Sequence, residues 1–209
     1  MRFLLIDDHT MVREGLKRIL LHAYHGATVE EAADAREAMD RISSGPWDVV
    51  FLDIDLPDRS GLDLLYDLRK MAPAAPVLIV SGMLEEEFGE RALQAGAGGF
   101  LNKVSLMEEI LTAVRRVRSG KKYISPDLGA RLMERRLNPG LKTAHEALSA
   151  REFEVLRLLG DGRTASEIAA LLNLSVKTVS TYRTRVLEKL GLRTTAEIIR
   201  YAVRHGLEC

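Results

Sequence analysis

Short apolar runs alternate with amphipathic segments along the first half of the chain. The apolar runs predict five β-strands, at 2–6, 27–32, 49–52, 77–80 and 99–101. Apolar residues at helical spacing predict helices at 11–21, 34–42, 62–71, 86–95 and 106–118. Successive strands joined through a helix must lie parallel, so this alternation predicts an α/β sheet with helices on both faces.

The second half shows only helical patterns, with regularly spaced N-terminal signals. Three pairs have the spacing of a capping box: Ser149 and Glu152, Thr164 and Glu167, Thr194 and Glu197. With Ser175 as a further cap, they predict helices at 150–159, 165–172, 176–190 and 195–205. These four helices are expected to share a small all-α core, with a buried stripe of Val176, Val179, Val186 and Leu190 on the third. The other expected core residues are Leu156, Leu159, Ile168 and Leu172.

The length of 209 residues is typical of two domains. The segment 120–147, punctuated by Asn, Pro and Gly, predicts a linker with a short helix near 128–136. We therefore expect domains at 1–119 and 148–209, joined by this linker. His145 has no second metal ligand at a suitable spacing, and we expect it to be a solvated linker residue.

The net charge of zero conceals two unlike halves. Residues 1–120 carry 14 Lys and Arg against 20 Asp and Glu, a net −6, so residues 121–209 carry 30 − 14 = 16 against 30 − 20 = 10, a net +6. Such asymmetry indicates two domains with different partners. The single cysteine cannot form an intrachain disulfide, which is typical of the reducing cytoplasm. No apolar run is long enough to cross a bilayer, so no membrane partner is expected.

Polar residues directly follow four of the five predicted strands. Asp7 and Asp8 follow the first, Asp53 the third, Ser81 the fourth and Lys103, after one asparagine, the fifth. Reactive sites of parallel sheets lie at the carboxyl ends of the strands, where these side chains would meet. One such aspartate is common in turns and helix caps, but the joint pattern is much harder to obtain by chance.

This pattern resembles the receiver domain of bacterial response regulators over residues 1 to about 118. The resemblance implies a flavodoxin-like, doubly wound, parallel five-stranded sheet of order 2-1-3-4-5. It also implies that Asp53 is the phosphoacceptor. Mg²⁺ would be held by Asp8, Asp53 and the backbone carbonyl of Asp55, with help from Asp7. Clustered oxygen ligands at an open site suit Mg²⁺, which would relieve the carboxylate repulsion.

The same resemblance implies roles for three further residues. Lys103 would pair with a phosphoryl oxygen, and Ser81 would donate a hydrogen bond to another. Phe100 would be the aromatic residue that moves into the space vacated when Ser81 is drawn inward, although without the resemblance an ordinary core position is the favoured explanation. Val104 stands where many receivers have a proline after the lysine, so no cis peptide is assumed there.

The third helix of the second half carries a basic face. From Lys177 to Arg193 there are five Lys and Arg against one Glu, a net 5 − 1 = +4. The stretch LSAREFEVLRLLGDGRTASEIAALLNLSVKTVSTYRTRVLEKLGL, residues 148–192, resembles the LuxR-type helix-turn-helix. The resemblance implies that 176–190 is the recognition helix, with Ser180, Thr181 and Thr184 on base edges. The backbone contacts would be Lys177, Tyr182, Arg183, Arg185 and Lys189, with Tyr182 departing from the histidine frequent there.

Together the halves resemble a two-component response regulator of the NarL/FixJ subfamily. This implies phosphorylation of Asp53 by a sensor histidine kinase, binding to double-stranded promoter DNA and a homodimer in the phosphorylated or DNA-bound state. No turnover of an external substrate is expected. One alternative is a DNA-binding regulator that works without phosphorylation. The other is a haloacid-dehalogenase-type phosphatase, suggested by Asp53-Ile54-Asp55 after an apolar strand, although here the third strand precedes the pair and no room for a cap exists.

Overall fold

The computed structural model divides the chain into two compact units, Met1–Asn138 and Pro139–Cys209. It describes residues 1–82, 85–105, 107–137, 144–172 and 174–207, except for the side chains of 86, 87, 135, 137, 146 and 150. Three parts of the sequence discussed above lie outside the described residues. They are Leu106, which is the predicted first residue of a helix, residues 138–143 of the predicted linker, and Cys209. Within the described ranges, no helix is long and apolar enough to cross a membrane.

The first unit is built on one parallel sheet of five strands. The strands are β1 (Arg2–Ile6), β2 (Thr28–Ala32), β3 (Val49–Leu52), β4 (Val77–Ser81) and β5 (Gly99–Asn102). Their order is β2-β1-β3-β4-β5, and every neighbouring pair is parallel. The predicted fold and strand order are therefore confirmed. All residues of the central strands β3 and β4 are buried, because helices cover both faces of the sheet.

Five helices follow the strands and begin and end within two residues of their predicted positions. They are α1 (Thr10–Ala23), α2 (Ala35–Ile42), α3 (Gly61–Met71), α4 (Glu85–Gln94) and α5 (Met107–Arg118). On one face of the sheet, α1 and α5 contribute Leu16, Leu20, Ile110 and Val114 to a buried core with the β-strands. This packing fixes the strand ends on which the polar residues stand.

A sixth helix, α6 (Pro126–Leu137), lies in the segment predicted as a linker. It is longer than the predicted 128–136 and packs against α4. Leu128 is buried there, so close to α4 that a Cβ added at Gly89 would lie 2.9 Å from its Cδ2. The Ser125 hydroxyl accepts from the Leu128 N–H at 3.1 Å and donates to Glu85 at 2.5 Å. The helix therefore belongs structurally to the first unit.

The second unit is helical. A single 3-10 turn (Ala144–Ala147) precedes α7 (Ala150–Gly160), α8 (Ala165–Leu171), α9 (Val176–Leu190) and α10 (Thr195–His205). Complete capping boxes begin α7 and α8, and Ser175 caps α9, as predicted. The box predicted for α10 is only half formed.

At α10, Thr194 accepts the Glu197 N–H, but Glu197 returns no bond to Thr194. Its carboxylate accepts the N–H of Arg193 instead, at 2.6 Å. The backbone explains the difference, because Thr194 has a φ of −135° where Ser149 and Thr164 have −67° and −77°. Because Thr194 is more extended, its own N–H points away from the Glu197 carboxylate. That carboxylate therefore accepts the N–H of the preceding residue, Arg193.

The core of the second unit follows the predicted apolar stripe except at the ends of helices. The predicted residues that are buried are Leu156, Leu159, Ile168, Val179 and Val186. Val176 is instead 47% exposed, and Leu172 and Leu190 are half-buried. Side chains on a helix lean toward its N-terminus, so the first residue of α9 has no preceding turn to pack on.

His145 is not the solvated residue that its isolation in the sequence predicts. It is half-buried, and its Nδ1 lies 3.1 Å from the Tyr201 hydroxyl. Its ring centroid is 5.7 Å from that of Phe153 and 5.5 Å from that of His205. The imidazole thus packs the 3-10 turn against α7 and α10, a contact between segments far apart in the sequence.

Gly61 is a position where the backbone of a neighbouring segment leaves no room for a side chain. A Cβ there would lie 1.9 Å from the backbone oxygen of Asp53, whereas one at Gly15 in α1 would have no neighbour within 4 Å. We expect Gly61→Ala to lower the free energy of unfolding by about 3 kcal/mol or more. Gly15→Ala should be neutral or raise it by up to about 1 kcal/mol. Urea denaturation followed by the fluorescence of Trp47, the only tryptophan, measures both, and a wild-type midpoint for Gly61→Ala would contradict the clash.

Candidate functional site

The carboxyl ends of three strands bring together side chains that are distant in the sequence. The Nζ of Lys103, after β5, lies 2.7 Å from Oδ2 of Asp53, after β3. The same Nζ lies 2.9 Å from Oδ2 of Asp7, after β1. Both carboxylates are buried, so a single ammonium group holds two desolvated negative charges.

His9 completes this cluster, although the pattern of polar residues at the strand ends did not point to it. Its Nδ1 lies 2.6 Å from Oδ1 of Asp8 and 3.1 Å from Oδ1 of Asp7, and its backbone N–H donates to Asp7 at 2.8 Å. Ligand atoms of Asp7, Asp8, His9 and Asp53 all lie within 4.8 Å of one another. The only sequence signal was the position of His9 directly after the acidic pair.

The electrostatics of the cluster favour one more positive charge. Burial, and then the nearby charge of Asp7, raise the pKa of Asp53 to about 6, although Lys103 and the backbone N–H of Asp55 act against the shift. For Lys103, burial lowers the pKa, but Asp53 and Asp7 outweigh burial and the net shift is upward. Three carboxylates therefore face one permanently charged ammonium.

The residues present fit a hard divalent cation. Oδ1 of Asp53 is buried and has no hydrogen-bond partner of ordinary geometry among the residues that the structure describes. Carboxylate oxygens are the ligands that Mg²⁺ prefers, and exposed Asp8 leaves one side open to water. Asp55 lies on the loop after β3, which closes through a bridge to Ser60.

Asp58, in the same acidic run, serves a different purpose. Its two carboxylate oxygens accept the backbone N–H groups of Ala35 and Arg36, at 3.0 and 3.2 Å. These N–H groups belong to the first turn of α2 and have no acceptor within the helix, and a negative charge at this end of a helix is stabilising. Asp58 therefore anchors the loop after β3 to a neighbouring helix.

The two predicted switch residues are buried in neighbouring strands. Ser81 ends β4 and lies opposite Asn102 of β5, and Phe100 lies opposite Ile79. Both Ser81 and Phe100 are buried, and exposed Gly82 follows the serine. The fold thus sets Ser81 at the same edge of the sheet as Asp53, while Phe100 lies two residues back along β5.

In the second unit, most of the predicted DNA-contacting residues share the outer face of α9. The exposed ones are Lys177, Thr181, Arg183, Thr184, Arg185 and Lys189, and the half-buried ones are Ser180 and Tyr182. The hydroxyls of Thr181 and Thr184 donate to the carbonyls of Lys177 and Ser180, at 3.0 Å each. Since their protons are used within the helix, these oxygens are available as acceptors.

Lys189 is engaged within the second unit. Its Nζ lies 2.6 Å from Oε2 of Glu152, whose side chain is only 3% exposed and also completes the capping box of α7. Burial pushes the pKa of Glu152 upward, but hydrogen bonds from Lys189 and Ser149 outweigh it and the net shift is downward. Lys189 therefore holds α9 to α7 in this structure.

The fold and both sites define a known class of protein, a receiver joined to a helix-turn-helix. Residues 3–115 match the family described as the response regulator receiver domain. Residues 146–202 match bacterial regulatory proteins of the luxR family. Neither family is one of phosphatases, so the comparisons favour the transcription regulator over the phosphatase.

Two response regulators match this chain along nearly its whole length. The response regulator UvrY of Escherichia coli is 32% identical over 98% of this chain and 94% of its own. The response regulator GacA of Pseudomonas protegens is 34% identical, over 99% and 97%. A LuxR-family two-component response regulator from Aurantimonas sp. has a crystal structure that covers 66% of this chain and 98% of its own, with 34% identity and a TM-score of 0.59. The chain therefore belongs to the NarL/FixJ-type response regulators.

The raised pKa of Asp53 predicts that this carboxylate costs stability in the metal-free protein. A folded pKa of about 6 against an ordinary 3.8 means that stability falls as the pH rises from about 4 to about 6 and then levels off. Two pKa units correspond to about 3 kcal/mol at neutral pH. Asp53→Asn should therefore be more stable than the wild type above pH 6 and lose that advantage at lower pH.

Urea denaturation in the presence of EDTA, followed by Trp47 fluorescence at several pH values, measures this difference. Asp40→Asn, an exposed aspartate on α2, is the matched control and should follow the wild type throughout. If Asp53→Asn were the less stable protein at neutral pH, the ion pair with Lys103 would outweigh the cost of burial.

Proposed function

We propose that this response regulator is switched by phosphorylation of Asp53 and that the switch controls binding to promoter DNA. A sensor histidine kinase would be the phosphoryl donor. The observation that carries the proposal is the 2.7 Å contact between Lys103 and buried Asp53 at the open edge of the sheet. The raised pKa of Asp53 and the surplus of carboxylates describe a site prepared for additional positive charge.

In the transfer, a carboxylate oxygen of Asp53 forms a bond to phosphorus while the bond to the donor breaks. Asp8, Asp53 and the backbone carbonyl of Asp55 would hold Mg²⁺, and Asp7 would contribute directly or through water. Bound there, Mg²⁺ would neutralise charge on the phosphoryl oxygens. Lys103, now shared between Asp53 and Asp7, would exchange a carboxylate oxygen for a phosphoryl oxygen.

The new phosphoryl oxygens on Asp53 would also provide a conformational switch. Ser81 would donate its hydroxyl proton to a phosphoryl oxygen, because it stands at the same edge of the sheet as Asp53. Phe100 lies on the neighbouring strand and is fully packed, so a shift of Ser81 must be accommodated by side chains of β4 and β5. We infer that this repacking carries the signal to the surface of the first unit.

The second unit would bind the major groove through α9. Ser180, Thr181 and Thr184 would read base edges, and the threonine oxygens suit the amino groups of adenine and cytosine. Lys177, Tyr182, Arg183 and Arg185 would contact the DNA backbone. Lys189 can reach a phosphate only by leaving Glu152, so we expect it to contribute less than Arg183. A homodimer on a two-fold symmetric operator would double these contacts.

Phosphorylation is tested by incubating the intact protein with Mg²⁺ and acetyl phosphate and weighing it by mass spectrometry. We expect one phosphoryl group on the wild type and on Asp40→Asn, and none on Asp53→Asn. A variant Asp53→Asn that is labelled at wild-type yield would refute the assignment. A wild type that binds Mg²⁺ but gains no group, with fast hydrolysis excluded by a time course, would favour the regulator that works without phosphorylation.

Arg183→Ala should weaken binding to duplexes of any sequence, because a phosphate contact carries no sequence information. The slope of log K against log salt should fall by about one. Fluorescence anisotropy with a labelled random duplex at several salt concentrations measures both quantities. Arg115→Ala, an exposed arginine on α5, should leave the slope unchanged. An unchanged slope for Arg183→Ala would remove this residue from the DNA backbone contacts.

A further inference from the structure

A second cleft lies at the opposite end of the sheet from Asp53. It has a volume of about 430 Å³ and is lined by residues that directly precede β3, β4 and β5, among them Asp48, Pro76 and Gly98. The remaining wall comes from the C-terminal ends of α3 and α5 and from the segment after α5. Since β3 runs from this cleft toward Asp53, the two sites lie on opposite edges of the sheet.

Positive charge dominates the lining of the cleft. Four basic residues, Arg69, Arg118, Lys121 and Lys122, face a single acidic one, Asp48. Both carboxylate oxygens of Asp48 already have partners, because Oδ1 pairs with Arg118 at 3.1 Å and Oδ2 accepts the Arg2 backbone N–H at 2.9 Å. Among the residues that the structure describes, no carboxylate oxygen lies within 4.0 Å of the other three cations.

Two of these cations are fixed in place by main-chain carbonyls. Arg69 donates to the carbonyl of Ala75 at 3.0 Å, and Lys122 donates to the carbonyl of Ala97. Burial, and then the charge of Arg69, lower the pKa of Lys122. The fold therefore holds two cationic side chains close together without a neutralising carboxylate, an arrangement that an anion would stabilise.

Helix C-termini account for only part of this charge. Cations are favourable in the last turn of a helix, which explains Arg69 in α3 and Arg118 in α5. Lys122 lies beyond α5, in the segment that pairs with β5 through Tyr123, so no helix end explains it. Lysines of an ordinary solvated face have no fixed partner, whereas the exposed Lys122 donates to the backbone carbonyl of Ala97.

The cleft also has apolar walls, formed by Trp47, Pro73, Pro76 and Val117. Its volume lies within the range of about 300 to 1,000 Å³ typical of small-molecule sites. Arginine offers paired donors that match phosphate oxygens, and lysine offers a mobile point charge. Apolar walls beside such donors suit an organic molecule that carries phosphate groups.

We propose that this cleft binds a small organic anion bearing at least two phosphate charges, held by Arg69 and Lys122. Its occupancy would draw together α3, α5 and the segment leading to α6, at the edge of the receiver remote from Asp53. This inference does not depend on the phosphorylation of Asp53.

Trp47 supplies a local reporter, because it lines the cleft and is the only tryptophan of the chain. The intact protein is titrated with inorganic pyrophosphate in EDTA, which removes divalent metal from the Asp53 site. We expect a saturable change in Trp47 fluorescence with a Kd below about 1 mM. Lys122→Gln should weaken binding by about tenfold or more, while Lys122→Arg should retain it.

Lys70→Gln is the matched control, because Lys70 shares the last turn of α3 with Arg69 but does not line the cleft. It should bind as the wild type does. The absence of a saturable change in the wild type, or equal binding by Lys122→Gln, would overturn the proposal. So would displacement of pyrophosphate by a short duplex at equal phosphate concentration, because the cleft would then be part of a nucleic-acid surface.

Discussion

The ion pair between Lys103 and the two buried carboxylates is the constraint on which the first unit depends. The strand order sets β1 beside β3, so the residues that follow these strands must lie close together. Asp7 and Asp53 are consequently forced into one desolvated space, and Lys103 neutralises only part of their charge. Such a cluster of buried like charges lowers the stability of the fold. It is useful for function, because binding of a cation or addition of a phosphoryl group changes the net charge of the cluster.

The sequence predicted the parts of the fold that are governed by local patterns. Strands β1 and β3 have the predicted bounds, because an apolar run there ends abruptly in aspartate. The strand order came from the family resemblance, since hydrophobic period alone does not say which strands are neighbours. The meeting of Asp53 with Lys103 followed from that order. The burial of both and the distance between them required the structure.

Long-range packing explains what the sequence could not predict. His145 is isolated in the sequence, yet α10 brings His205 and Tyr201 to it. Lys189 belongs to a basic face by its spacing, but its partner Glu152 lies on another helix, 37 residues earlier. Among the aspartates of one short run, Asp53 is buried in the charged cluster while Asp58 caps α2. Residue type and spacing could not distinguish these two roles, because both depend on which element packs nearby.

Net charge is a poor guide to the chemistry of the first unit. Residues 1–120 total 14 − 20 = −6, yet the cleft at the amino ends of β3 to β5 is lined by four basic residues and one acidic residue. The carboxylates gather instead at the opposite edge of the sheet. A parallel sheet separates the two sets of charges, because every residue that precedes a strand lies at one edge and every residue that follows one lies at the other. The length of β3 separates the two sets of charges, so each edge can bind a ligand of its own charge preference.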